Sequence, residues 1–98
     1  MRGRPRKPRI VQSEPASRQF SPRGRIGRPG YLELKYEELE AIRLADFSGL
    51  NQAEAAGSMG ISQQTFSRVL KNGRKVLAEA LVMAKIIKVK GGDYKVEK

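Results

Sequence analysis

The chain has 98 residues, with 20 Lys and Arg against 10 Asp and Glu and a formal net charge of +10. A chain of this length supports one hydrophobic core. It contains no Cys and no His, which excludes disulfides, zinc fingers, thiol nucleophiles and imidazole acid–base catalysis. We therefore expect no enzymatic activity, no cofactor and no metal site.

The positive charge is concentrated in two segments. Residues 1–30 hold nine Lys and Arg against Glu14, and residues 62–90 hold seven against Glu79, whereas residues 31–61 are acidic. Charge gathered in this way is typical of a protein that binds a polyanion, most often nucleic acid, with an anionic membrane surface as the alternative. The sequence has no apolar run that could span a bilayer and no signal-peptide pattern. We expect a cytoplasmic, nucleoid-associated protein that does not enter a membrane.

Residues 1–30 are predicted to form a basic, mostly irregular N-terminal arm, because all five prolines lie there and apolar residues are few. The stretch Arg2-Gly3-Arg4-Pro5 resembles the core of an AT-hook, in which Arg side chains enter a narrow minor groove. We expect the arm to contact the minor groove or flanking phosphates. A solvated tail that attracts DNA without specificity is the alternative. The predicted contacts are Arg2, Arg4, Arg6, Lys7 and Arg9.

Two helices are predicted in the acidic segment. The sequence YEELEAIRLADF is rich in helix formers, has Glu residues in its first turn and is followed by Ser48-Gly49, which predicts a helix over about 36–48. Asn51 and Glu54 have capping-box spacing and Gly60 supplies a stop, which predicts a short helix over about 52–59.

A third helix is predicted over about 62–85, with Ser62 as its N-cap. Taking Phe66 as zero and 100° per residue, the apolar positions fall in one stripe between about 280° and 60°. Asn72-Gly73 could instead form a turn, but the stripe keeps its phase on both sides of this dipeptide. We therefore predict one continuous helix.

The C-terminal segment 86–98, IIKVKGGDYKVEK, alternates apolar and polar residues around two glycines, which predicts a short β-hairpin or an extended strand. An isolated hairpin is marginally stable, so we expect it to dock or to pair with another chain. Met83, Ile86, Ile87 and Val89 could form a homodimer surface or pack on the first helix of the same chain.

The second and third helices meet the demands of a helix-turn-helix. Ala56 supplies a small side chain at the crossing and Gly60 tolerates positive φ in the turn, while Ile61, Phe66 and Val69 face back. An ordinary αα-hairpin would give a similar pattern. The predicted fold is therefore mainly α, a three-helix helix-turn-helix domain over 31–85 with the arm before it and the short C-terminal extension after it.

The face of the third helix opposite its apolar stripe favours DNA binding. Gln64, Ser67, Arg68, Lys71 and Lys75 fall between about 100° and 200° on the same wheel. Arg and Gln suit guanine and adenine edges, and Lys neutralises phosphates. The DNA-binding residues predicted on this helix are Ser62, Gln63, Gln64, Ser67, Arg68, Lys71, Arg74 and Lys75.

The stretch ELEAIRLADFSGLNQAEAAGSMGISQQTFSRVLKNGRKVLAEAL resembles region four of bacterial sigma factors. It is more similar to uncharacterised protein family 0251, small prokaryotic proteins predicted to bind DNA, and RPRKPRIV and the FSP of residues 20–22 extend this resemblance into the arm. The resemblance implies sequence-specific binding to double-stranded DNA and transcriptional regulation. Two alternatives stay open: an RNA-binding module, and a sigma-like adaptor that contacts RNA polymerase through the acidic first and second helices.

Overall fold

The computed structural model describes residues 8–24, 27–92 and 94–96. Within these ranges the chain forms short strands before and after a block of three α-helices. In chain order the elements are β1 (Arg9–Val11), β2 (Gln19–Phe20), β3 (Tyr31–Leu34), α1 (Tyr36–Ile42), α2 (Gln52–Met59), α3 (Gln63–Met83), β4 (Ile86–Val89) and β5 (Tyr94–Val96). The helical block occupies the centre of the sequence, as predicted.

The helix α1 passes directly into a π-helical turn over Arg43–Phe47. Its N-terminus is held by two backbone donors: the Lys35 N–H donates to the Glu38 carboxylate at 3.0 Å, and the Tyr36 N–H donates to the Gly91 carbonyl at 3.2 Å. At the other end Gly49 has a φ of 78°, a left-handed backbone conformation that would be strained in a residue with a side chain. Together α1 and the π turn span the predicted helix 36–48.

Local capping sets the bounds of the next two helices. In α2 the Asn51 carboxamide accepts from the Glu54 N–H at 2.8 Å, and the Asn51 N–H donates to the Glu54 carboxylate at 3.1 Å. Gly60, with a φ of 67°, ends this helix. Ser62 then caps α3 by accepting from the Thr65 N–H at 3.1 Å. Asn72-Gly73 lies inside α3, which is continuous as predicted.

Of the two structures predicted for the C-terminal segment, the hairpin is wrong and the extended strand is present, because β4 and β5 do not pair with each other. The strand β4 lies in the centre of one sheet, parallel to β3 and antiparallel to β2, and β5 pairs in parallel with β1 in a second sheet. Burial explains the arrangement: Val89 in β4 and Val11 in β1 are 2% and 3% exposed. The segment therefore docks on its own chain.

Part of the predicted arm belongs to the folded domain. From Arg9 onward the chain pairs with β5, the Gln12 N–H donates to Glu40, and the Arg18 carbonyl accepts from the Val89 N–H at 2.8 Å. Residues 9–20 of the predicted arm therefore include positions that pair with strands or contact helices of the domain. Residues 1–7, which carry four of the five predicted arm contacts, lie outside the described ranges.

The core lies between the three helices, where α1 crosses α3 at Gly73. A Cβ on Gly73 would stand 3.0 Å from Ile42 Cδ1 and 3.2 Å from the Glu38 carbonyl oxygen. This crossing holds α3 with one face inward and the opposite face outward. The main buried cluster consists of Ala41, Leu44, Ala55, Ala56, Met59, Phe66, Val69 and Leu70.

Candidate nucleic-acid interface

The outward side of α3 carries the residues that the sequence pattern selects. Phe66, Val69, Leu70 and Gly73 are buried, so the side chains on the opposite side of the helix point to solvent. We call Gln64, Ser67, Arg68, Lys71 and Lys75 the basic face, and each of them is exposed. Ser62, Gln63 and Arg74, at the start and the flank of the helix, are also exposed.

The cations of the basic face are not neutralised by neighbouring acids. Across residues 8–24, 27–92 and 94–96, Arg68, Lys71 and Lys75 make no ion pair, although other cations of the chain do. A cation without a carboxylate partner keeps its full attraction for phosphate and its donors for base edges. The basic face can therefore act on a polyanion without first breaking contacts within the protein.

Arg74 differs from those three cations because it binds Asp46. Its Nη2 donates to Asp46 Oδ1 at 2.7 Å and its Nε donates to Oδ2 at 3.1 Å. The hydrogen bonds from Arg74 lower the pKa of Asp46, and the carboxylate raises the pKa of Arg74. Both side chains are partly exposed, at 53% and 41%. The pair therefore ties the π turn to α3 at the edge of the basic face.

The Ser62 side chain has a structural role at the N-terminus of α3. Its hydroxyl accepts from the Thr65 N–H and donates to the Thr65 hydroxyl at 2.9 Å, so the side chain is committed to the N-cap of α3. Gln63 and Gln64, in the following turn, are exposed. The amide donors at this end of α3 thus come from the two glutamines.

Arg9 corrects the predicted arm contacts. Arg9 is 6% exposed, and its Nε lies 3.9 Å from Oε2 of Glu37, a residue that is also buried. The pairing of β1 with β5 turns the Arg9 side chain inward, so it is not available to DNA in this structure. The burial of Arg9 depends on a tertiary contact with Glu37. Amino-acid composition does not reveal such a contact.

Sequence reasoning also missed the cleft beside Arg9. Arg9 opens onto a polar cleft of about 360 Å³ that also includes Arg68 of the basic face. The described part of the chain therefore begins next to the N-terminal half of α3. The cleft is lined by Arg9, Lys35, Glu37, Glu38, Thr65, Arg68, Val69 and Asn72.

The acidic residues of α1 are largely internal. Glu37, Glu38 and Glu40 are 2%, 7% and 5% exposed. Glu40 accepts two hydrogen bonds at 2.9 Å from Arg43, which raises the pKa of that arginine. Burial raises the pKa of Glu38, although the hydrogen bond from Lys35 opposes the shift. The first helix therefore offers few carboxylates to a partner, which weakens the case for a polymerase-binding acidic surface.

A family model described as a protein of unknown function, DUF134, matches residues 1–97. The chain belongs to this family. Its predicted membership of uncharacterised protein family 0251 is confirmed by relatives that carry that family's name.

Three family members show the extent of the similarity. The UPF0251 protein of Methanococcus maripaludis strain C7 is 43% identical over 96 residues, which cover 97% of this chain and 74% of the relative. That of Caldanaerobacter subterraneus subsp. tengcongensis is 48% identical, covering 95% and 80%. That of Methanosarcina acetivorans is 45% identical, covering 95% and 84%. No solved structure matches the chain.

The comparisons name no activity for the family. The family description and the names of these relatives give neither a ligand nor a reaction. Among the described residues, no group of three or more acidic, His or Cys side chains is placed to hold a metal ion. In the same part of the chain, no helix has the length and apolar character needed to cross a lipid bilayer.

Proposed function

We propose that this chain binds double-stranded DNA sequence-specifically through α2 and α3, acting as a helix-turn-helix of the sigma region-four type, and regulates transcription on the chromosome in the cytoplasm. The observation that carries the proposal is the basic face of α3. It combines exposed amide, hydroxyl and cationic side chains on the side opposite a buried apolar stripe. A helix about 10–12 Å in diameter enters a major groove about 12 Å wide with such a face toward the base edges.

The junction between α2 and α3 supports this assignment. Ala56 is 3% exposed at the contact between the two helices, Gly60 adopts a left-handed conformation, and the Ile61 N–H donates to the Ala56 carbonyl at 3.1 Å. A small residue followed four positions later by a left-handed glycine allows the tight turn that a helix-turn-helix requires. An αα-hairpin of purely structural role would not need an unneutralised cationic face.

The position of Arg9 supports a second contact with the same duplex, because Arg9 lines the cleft that contains Arg68 of the helix proposed to enter the major groove. Arg2, Arg4, Arg6 and Lys7 precede Arg9 in the sequence. We propose that they contact the adjacent minor groove or its phosphates, as basic arms of other DNA-binding domains do.

The proposal is tested by selecting preferred duplexes from a random pool and measuring affinity by fluorescence anisotropy. We expect Arg68→Ala to lose about 1–3 kcal/mol on the selected site and little on random duplex, because a bidentate base contact carries that much discrimination. Lys75→Ala should weaken both duplexes alike. Lys88→Ala, which makes the same charge change on β4, is the control and should leave the base preference unchanged.

Equal losses on both duplexes for Arg68→Ala and Lys75→Ala would contradict the assigned roles. A structured RNA that displaces the selected duplex at equal concentration would favour the RNA-binding alternative. Binding of purified RNA polymerase, with no duplex enriched in the selection, would favour the adaptor.

A further inference from the structure

The outer surface of α3 changes chemistry after Lys75. Residues 76–84, VLAEALVMA, contain a single charged residue, Glu79. In this stretch Leu81 is 80% exposed and Val82 is 81% exposed. Large apolar side chains grouped at one end of a helix mark an interaction site in a soluble protein. DNA binding does not account for them, because the phosphates call for cations.

One side of this helix end forms a groove with the β2–β4 sheet. Leu81 and Phe20, the latter 55% exposed, face a groove of about 230 Å³ whose floor includes Ala84 and Ile87. At its rim Lys85 Nζ lies 3.4 Å from Glu79 Oε2. The groove therefore has an apolar centre and a rim with one cation and one anion.

We propose that a second copy of this chain docks here, with Leu81 of each copy seated in the groove of the other around a twofold axis. In such an isologous contact the rim of each groove faces the same rim of the other copy. Glu79 of one copy can then pair with Lys85 of the other. The charges of this rim balance. From Gln63 to Lys75, α3 instead carries four cations and no acid of its own, and of these four only Arg74 is paired among the described residues, with Asp46. Two copies would therefore repel each other there.

Exposed apolar residues supply the centre of such an interface. Leu81 and Phe20 are 80% and 55% exposed, and both line the groove. Val82 and the Ser21–Pro22 segment extend the surface toward the ~800 Å² per partner of a stable complex. The anchors would be one aliphatic and one aromatic side chain from each copy.

The position of Leu81 on α3 also suits the proposed function, on which this part of the inference rests. The centre of the segment from Gln64 to Lys75 lies about 11 residues before Leu81, or about 17 Å along the helix. A twofold axis near Leu81 would separate the two basic faces by about 34 Å, one turn of B-DNA. Leu81 projects about 80–120° around the helix from Lys71 and Lys75, so both basic faces can point toward the same side of a duplex.

Sedimentation equilibrium of the full chain without DNA tests the dimer directly. We expect a dimer at roughly 10 μM, and at least about a tenfold weaker association for Leu81→Asp, since the charge would be buried in the interface. Phe20→Asp, on the other wall of the groove, should act in the same way. Met83, which the sequence suggested as part of a dimer surface, does not line this groove. Met83→Asp is therefore the matched control, because Met83 is 54% exposed and projects about 200° around the helix from Leu81.

Circular dichroism of each variant tests whether the fold is retained. We expect that it is, because Leu81, Phe20 and Met83 are exposed. A monomer at about 100 μM would overturn the inference. So would a dimer that tolerates both groove substitutions, or one that Met83→Asp disrupts equally. A dimer that binds no duplex would refute the proposed function and leave the dimer interface standing.

Discussion

A single glycine sets how closely the first and third helices approach. A Cβ at position 73 would come within 3.1 Å of Glu38 Cβ and 3.2 Å of the Glu38 carbonyl oxygen. Backbone atoms at a helix crossing cannot move aside as the end of a flexible side chain can. Gly73 is therefore a packing residue, and the sequence pattern placed it on the apolar stripe without showing what it contacts.

Replacing Gly73 with Ala tests whether the cost of overpacking the helix crossing exceeds the gain in helix propensity. In an exposed helix interior, Ala is about 1 kcal/mol better than Gly, whereas overpacking a crossing costs about 1–3 kcal/mol. We expect Gly73→Ala to lower the free energy of unfolding by about 1 kcal/mol. Gly57→Ala, where nothing lies within 4 Å of the added Cβ, should raise it by up to about 1 kcal/mol. Thermal denaturation of both variants measures the difference, and equal stabilisation of the two would contradict the close crossing.

The elements that the sequence predicted well are those whose signals are local. The capping box of Asn51 and Glu54, the left-handed Gly60 and the N-cap Ser62 all act within four residues, and each is present. The 3.6-residue period of α3 likewise requires no distant partner. These signals placed both the helices and the basic face.

The strand elements were predicted poorly because their partners are distant in sequence. Gly91-Gly92 suggested a hairpin turn, but β5 pairs with β1, which lies more than 80 residues earlier. Gly92 instead lies against the side chains of Glu37 and Lys35, where a Cβ would not fit. Alternation predicts that a strand exists, but it does not identify the strand with which it pairs.

The proposed role of the N-terminal arm depends on its positive charges and not on a folded structure. Replacing Arg2, Arg4, Arg6 and Lys7 together with Gln keeps the arm length and leaves β1 intact. If these cations lie on phosphates, the slope of log affinity against log salt should fall by up to about 3.6, since each neutralised phosphate contributes about 0.9. Anisotropy titrations at several salt concentrations measure the slope.

Arg18→Ala is the control for the arm, because Arg18 pairs with Glu14 within the described fold. Its slope should match that of the unmodified chain. An unchanged slope for the fourfold Gln variant would mean that the arm is a solvated tail.

At the scale of the whole molecule, charge is separated between inside and outside as well as along the chain. The acids of α1 are buried, where Glu37 meets Arg9 and Glu40 meets Arg43. Composition predicted the basic segments and the acidic segment, but it did not show that the acids of α1 are internal. The difference arises because β1 covers α1, a contact that no local pattern encodes.

The two ends of the described chain also pair with each other. The strands β1 and β5 run in parallel, and Ile10 of β1 lies 3.2 Å from the position that a Cβ on Gly60 would take. The junction of α2 and α3 is therefore braced by β1, which in turn pairs with β5. A braced junction keeps the basic face in one orientation, which favours specific over purely electrostatic binding.

Contact between the basic face of α3 and a duplex can be followed residue by residue, by mapping amide chemical shifts of the ¹⁵N-labelled chain as a selected duplex is added. We expect the largest changes on Gln63–Lys75 and on the arm, with small changes in β3 and β4. Changes centred on the sheet, with α3 unaffected by a duplex that binds, would show that the basic face is not the interface.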